Sequence, residues 1–246
     1  MKETRILMGM PVTVEIGDDS ANQDEINKIF DYFKYVDEKF STYKDTSEIT
    51  SINKGLIKKA DFSDDMKTVF KLSEETKKQT NGYFDIMTPT GDYDPSGLVK
   101  GWAIYNAAEI LRKDGFKEFY VDAGGDIEVG GKYWKIGIRN PFKQEEIVRV
   151  VHLKDAGIAT SGTYIRGDHI YNPKDKKDKI TEVASLTVIG PNIYEADRFA
   201  TAAFAMGKKG IVFIESLEGF EGYLIDKDGI ATMTSGFESF TQESNA

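Results

Sequence analysis

The sequence predicts an α+β fold built as one domain. Segments with strand period and segments with helix period both occur, they do not alternate as βαβ units, and glycine pairs separate consecutive short strand-like runs in mid-chain. The chain of 246 residues has no linker and no low-complexity stretch, and it is long enough to bury a substantial core.

Met10 to Ile16 alternates, with Val12, Val14 and Ile16 on one face of a strand. Gln23 to Phe40 places Ile26, Ile29, Phe30, Phe33 and Val36 at helical spacing, which makes an amphipathic helix for packing on a sheet. Asp64 to Thr80 reads as a second helix, capped by Ser63 or Asp64. Gly101 to Lys113 is a third, with Ile104, Ala107, Ala108 and Leu111 in one stripe before Gly115 ends it. Strands are predicted at Glu118 to Asp122, Ile127 to Val129, Trp134 to Arg139 and Ile147 to Leu153, with Gly124-Gly125 and Gly130-Gly131 as turns. Further strands at Ala184 to Ile189, Gly222 to Ile225 and Ile230 to Thr234 bracket a helix around Asp197, and the charge run Lys174 to Lys179 reads as a solvated loop.

Composition excludes several classes of function. With 32 basic against 41 acidic residues, a net charge of −9, the chain has no electrostatic footprint for a nucleic-acid backbone. It has no cysteine, so disulfides, thiolate metal sites and thiol nucleophiles are excluded. The first sixteen residues hold no apolar leader segment and no lipid-acceptor cysteine, and no stretch approaches membrane-spanning length. A cytoplasmic protein is the simplest expectation, although a trimmed exported chain would read the same.

The strongest chemical signal is Glu195-Ala-Asp-Arg-Phe-Ala-Thr201, which follows an apolar run and the pair Gly190-Pro191. Asp197 and Thr201 stand four apart, so on a helix they offer a carboxylate and a hydroxyl from one face. Two hard oxygen donors begin a Mg²⁺ site but leave positions for water or substrate phosphate. The same spacing equally suits a helix with an acid in its first turn and a threonine bonded to its own backbone.

Other polar clusters sit at element ends. Asn81-Gly-Tyr-Phe-Asp85 is a helix C-cap whose Tyr83 or Phe84 could also line an aromatic pocket. Asp94-Pro-Ser-Gly-Leu-Val-Lys-Gly101 is a turn leading into a helix, where backbone N–H groups and a lysine can meet phosphate, without Walker spacing. Asp122-Ala-Gly-Gly-Asp126 is a glycine turn flanked by acids, which a plain hairpin explains equally well. Of the two histidines, His152 lies in an alternating run and His169 in a polar segment where an imidazole could take a proton from a hydroxyl.

In order, Met8-Gly-Met-Pro, Phe40-Ser-Thr-Tyr43, Ser47-Glu-Ile-Thr-Ser-Ile-Asn53, Gly82-Tyr-Phe-Asp85, Ser96-Gly-Leu-Val-Lys-Gly101, Ala123-Gly-Gly-Asp126, Thr160-Ser-Gly162, His169-Ile-Tyr-Asn-Pro173 and Ala196-Asp-Arg-Phe-Ala-Thr201 resemble the FAD:protein FMN transferase family, the ApbE flavin transferases. The likeness covers nearly the whole chain. It implies a single α+β unit related to the T-fold, with antiparallel sheets and packed helices.

The resemblance also implies a site. Asp197 and Thr201 match the family's magnesium ligands, joined by the backbone carbonyl at the position of Gly97. Met8, Tyr43, Tyr83, Phe84, Asp85, Asp94, Lys100 and Tyr171 match positions lining the FAD site, and His169 matches the histidine of the family's His-x-x-Asp-Pro motif. The implied reaction is Mg²⁺-dependent: FAD is split at its pyrophosphate, FMN is joined through a phosphoester to a threonine or serine of an acceptor flavoprotein, and AMP leaves. In that chemistry Lys100 adds positive charge at the phosphates, His169 serves as base, and Tyr43 and Tyr83 pack on flavin or adenine rings. The chain departs from the pattern at Asn172, in place of the motif's aspartate, and at Met10, where threonine is usual; Pro95 and Tyr105 are also atypical. An FAD pyrophosphatase that releases free FMN and AMP, and a flavin carrier without turnover, are the alternatives.

Overall fold

The computed structural model describes residues 1–143, 145–162, 172–174 and 180–242. Ten strands and six α-helices are defined among them. In chain order they are β1 (Lys2–Leu7), β2 (Met10–Ile16), α1 (Gln23–Phe40), α2 (Glu48–Asn53), α3 (Asp64–Gln79), α4 (Ser96–Lys113), β3 (Phe119–Ala123), β4 (Asp126–Gly130), β5 (Trp134–Arg139), β6 (Ile147–Leu153), β7 (Ala156–Gly162), β8 (Val183–Gly190), α5 (Ile193–Ala205), α6 (Gly210–Glu215), β9 (Glu221–Asp226) and β10 (Ala231–Met233). The expected α+β class with antiparallel sheets is what forms.

Eight strands make one sheet in the order β1-β2-β3-β4-β7-β8-β9-β10, every neighbouring pair antiparallel. The excursion between β4 and β7 is the hairpin of β5 and β6, a separate two-stranded sheet. It packs its apolar side chains on one face of the large sheet, where Ile127, Val129, Ile136, Ile138, Val151, Leu153, Ile158 and Tyr223 form a small core. The helices cover the other face and enclose the larger core, with Phe30, Phe33, Leu98, Ile104 and Phe204 fully buried. Among the described residues no helix is long and apolar enough to cross a membrane.

Local chemistry explains the elements that match expectation. Asn22 caps α1 in a capping box with Glu25, and its buried stripe is the one read from spacing. Ser63 caps α3. Four elements escape the period. Strand β1 is an edge strand with no fully buried residue, its half-buried face carrying Glu3, Arg5 and Leu7, and α2 is a six-residue helix capped by Ser47. Strand β7 is built of small residues because α5 lies directly on it: a Cβ at Gly157 would fall 2.0 Å from the Ile193 nitrogen. Helix α6 has only six residues. Helix α4 starts at Ser96, five residues before the expected Gly101, so Gly97 and Lys100 lie on helix rather than on a turn. The glycines that resemble breakers there are packing positions.

Candidate functional site

Asn192 starts α5 by accepting the Glu195 N–H at 2.9 Å, and the first turns then carry Asp197 and Thr201 toward α4. Asp197 Oδ2 accepts the Gly101 N–H at 2.8 Å, and the Thr201 hydroxyl donates to the Gly97 carbonyl at 3.4 Å. Pairing 101 with 197 and 97 with 201 sets the two helices antiparallel at their crossing. Glycine is required for this approach at position 101 and eases it at 97. A Cβ at Gly101 would lie 2.6 Å from Asp197 Cβ, and one at Gly97 would lie 3.2 Å from Thr201 Cγ2.

Two carboxylates are buried here. Asp197 is 3% exposed and Asp126, the first residue of β4, 1%. Lys100 forms an ion pair with Asp126 Oδ2, and its ammonium is 3.8 Å from Asp197 Oδ1. The other Asp126 oxygen accepts the Thr160 N–H of β7 at 3.0 Å. Burial pushes the Asp197 carboxyl up to about 7; Lys100 opposes the shift and the charge of Asp126 adds to it. Asp126 is the partner that the sequence left as the flank of a hairpin. Alternation along β4 puts Ile127 and Val129 on the opposite face from Asp126, so the sequence carried no signal for the burial of this acid.

Gly97, Lys100, Asp197 and Thr201 are thus brought together at the crossing, and Phe84 joins them. Phe84 is buried, and its ring lies 3.4 Å from where a Cβ on Gly97 would stand. A carboxylate, a hydroxyl and a carbonyl make a hard-oxygen donor set that suits Mg²⁺ and leaves positions for phosphate oxygens and water. Among the described residues no three His, Asp or Glu side chains cluster as a metal site. An ion at the crossing would therefore depend on the Gly97 carbonyl and on substrate oxygens.

The remaining site residues spread around this centre. Asp94 precedes α4, its Oδ1 accepting the Ser96 N–H at 3.0 Å, and lines a cavity of about 360 Å³ shared with Thr42, Thr50, Asn53, Thr88 and Tyr93. Asn53 braces that wall by exchanging two hydrogen bonds with the Tyr93 backbone, at 2.9 and 2.8 Å. Asp85 pairs with Lys77 at 2.7 Å and accepts the Met87 N–H at 2.9 Å. The Lys174 ammonium sits 4.7 Å from the Tyr83 ring centroid. Tyr43 is 98% exposed and packs on nothing. Met8 occupies the β1–β2 turn at φ 53°, a conformation costly for a side chain with a Cβ, and Met10 packs on the Gly124 turn just ahead of Asp126. His169 and Tyr171 lie outside the described residues, as do residues 175–179 of the charge run. His152 is an ordinary strand residue of β6.

The family model described as "ApbE family" matches residues 8–91 and 88–224, a span that contains both helices of the crossing. The chain belongs to the ApbE family. Curated relatives named FAD:protein FMN transferase include those of Escherichia coli K12, 28% identical over 164 residues, and Haemophilus influenzae, 28% identical over 167. These alignments cover 60% and 61% of this chain and 47% and 48% of the relatives, so the chain spans about half the length of the curated relatives it matches. Among solved structures, the ApbE protein of Thermotoga maritima superposes with a TM-score of 0.87 at 20% identity, covering 99% of each chain. The flavin transferase ApbE of Vibrio cholerae gives 0.84 at 21% identity, covering 98% of each. At these identities the superpositions establish the ApbE fold.

Proposed function

We propose that this ApbE-family chain transfers FMN from FAD to a threonine or serine hydroxyl of an acceptor flavoprotein, with Mg²⁺, releasing AMP. The observation that carries the reading is the convergence of the Gly97 carbonyl, the Thr201 hydroxyl, the Asp197 carboxylate and the Lys100 ammonium at one helix crossing. The curated relatives' name, FAD:protein FMN transferase, supports the transfer of FMN from FAD to a protein.

In this reading the Gly97 carbonyl, Asp197 and Thr201 hold the metal. Bound there, Mg²⁺ supplies charge neutralisation at the pyrophosphate, the main requirement of phosphoryl transfer. Lys100 adds a positive charge beside the same phosphates, and Asp126 keeps its ammonium at the crossing. The cavity bordered by Asp94 and Tyr93 takes one ring end of FAD, and Tyr43, Tyr83 and Met8 border the rest. The acceptor oxygen forms a bond to the FMN phosphorus while the bond from that phosphorus to the AMP oxygen breaks. The hydroxyl proton goes to a base, assigned to His169 on the sequence motif alone, and AMP carries off the electron pair of the broken bond.

Intact mass spectrometry of an acceptor domain incubated with the protein, FAD and Mg²⁺ tests the reading. A mass gain of one FMN with AMP release supports transfer. An unmodified acceptor with free FMN and AMP would make the protein an FAD pyrophosphatase, and absence of AMP would leave only a flavin carrier.

A further inference from the structure

Glu128 is a fully buried carboxylate with no part in the chemistry above. It follows Asp126 by two residues on β4, so both side chains point to the helix-covered face of the sheet. One oxygen of Glu128 accepts the Ile193 N–H at 2.6 Å, at the first residue of α5. The other accepts from Arg112 Nη2 at 2.7 Å, in the last turn of α4. Arg112 is held in turn by Glu109 at 2.6 Å and lies over the Phe119 ring. Strand β4 therefore grips α4 at two points about three helical turns apart, Lys100 through Asp126 and Arg112 through Glu128, and grips α5 at its start.

We propose that Glu128 is the positioning residue of the metal site. By tying the end of α4 and the beginning of α5 to one carboxylate, it sets the register in which the Gly97 carbonyl meets Thr201 and the Gly101 N–H meets Asp197. The inference rests on the magnesium reading of that crossing. A bare helix N-terminus attracts phosphate through its free N–H groups and dipole. Here a carboxylate already takes the Ile193 N–H, so the FAD pyrophosphate is directed to the crossing one turn further along α5. The link is costly to cut from the Arg112 side, because removing the guanidinium leaves the buried Glu128 carboxylate uncompensated.

The test is calorimetric titration of Mg²⁺ into the protein with ADP, which carries a pyrophosphate and no flavin. Glu128→Gln keeps an oxygen for the Ile193 N–H but turns an amide toward Arg112, and it is expected to weaken Mg²⁺ binding by about tenfold or more, the range for groups that orient metal ligands. Arg112→Met, which cuts the same link from its half-buried end, is expected to do the same. The double variant is expected to be no worse than either single, because both cut one link. Ile138→Ala, a core truncation on the opposite face of the sheet, serves as the control for lost stability alone and is expected to leave Mg²⁺ affinity within about twofold. Unchanged affinity in both single variants despite lower melting temperatures, or an additive double variant, would overturn the inference. A wild type that binds no Mg²⁺ under these conditions would instead remove the magnesium reading beneath it.

Discussion

The two faces of β4 differ sharply in what they bury. Ile127 and Val129 point to the β5–β6 hairpin and join a purely apolar core, while Asp126 and Glu128 point to the helices and hold Lys100, Arg112 and the start of α5. Both faces are sealed from water. The hairpin face gains stability from apolar area and tolerates changes of shape. The helix face spends that area on buried charges and on glycines that let two helices touch. Such an arrangement fits the proposed gripping of a cation and phosphates at the crossing.

The largest contrast comes from removing a ligand. Asp197→Ala is expected to lower flavin transfer by about a thousandfold, the several kcal/mol that metal-borne charge stabilisation supplies, measured as initial rate of FMN incorporation. Truncation on the other face should separate stability from function. Ile138→Ala is expected to cost about 2–5 kcal/mol in chemical denaturation while Mg²⁺ affinity stays put. Gly101→Ala should do the reverse in proportion. Its Cβ would stand 2.6 Å from Asp197 Cβ, so the helices part, with about 1–3 kcal/mol lost and Mg²⁺ binding weakened beyond what Ile138→Ala shows.

Two carboxylates give the smallest effects, with opposite signs. Asp197 is pushed up to about 7 by burial, so the metal-free protein is favoured with this group protonated. Its contribution is fully present below about pH 4 and is lost as pH rises toward 7; the melting temperature of Asp197→Asn should lack that decline. Asp226, the last residue of β9, is held down to about 2 by Lys208 and by the backbone N–H of Ile230 and Asp228. Its contribution is present above about pH 4 and is lost as pH falls toward 2, a loss Asp226→Asn should not show.

The same contrast explains what could be read in advance. The apolar face obeys period, so Val12, Val14, Ile16 and the stripe of α1 were legible from spacing alone. Asp197 and Thr201 were legible because four residues on a helix fix one face, and Lys100 because its block kept family order. The burial of Asp126 and Glu128 was not, since alternation separates two faces of a strand without saying that acids will occupy a closed one. Gly97 and Gly101 misled in the same way. A helix-packing glycine and a helix-breaking glycine are the same residue in sequence, and only the neighbour, here Asp197 and Thr201, tells them apart. Strand β7 was hidden because its small residues answer to α5 lying on it rather than to strand propensity.

The most direct measurement is the intact mass of an acceptor flavoprotein domain after three parallel reactions with FAD: wild type with Mg²⁺, wild type with a chelator, and Asp197→Ala with Mg²⁺. One added FMN in the first reaction and none in the other two is the expected result. Equal FMN incorporation in all three would contradict a magnesium-held transfer site at the α4–α5 crossing.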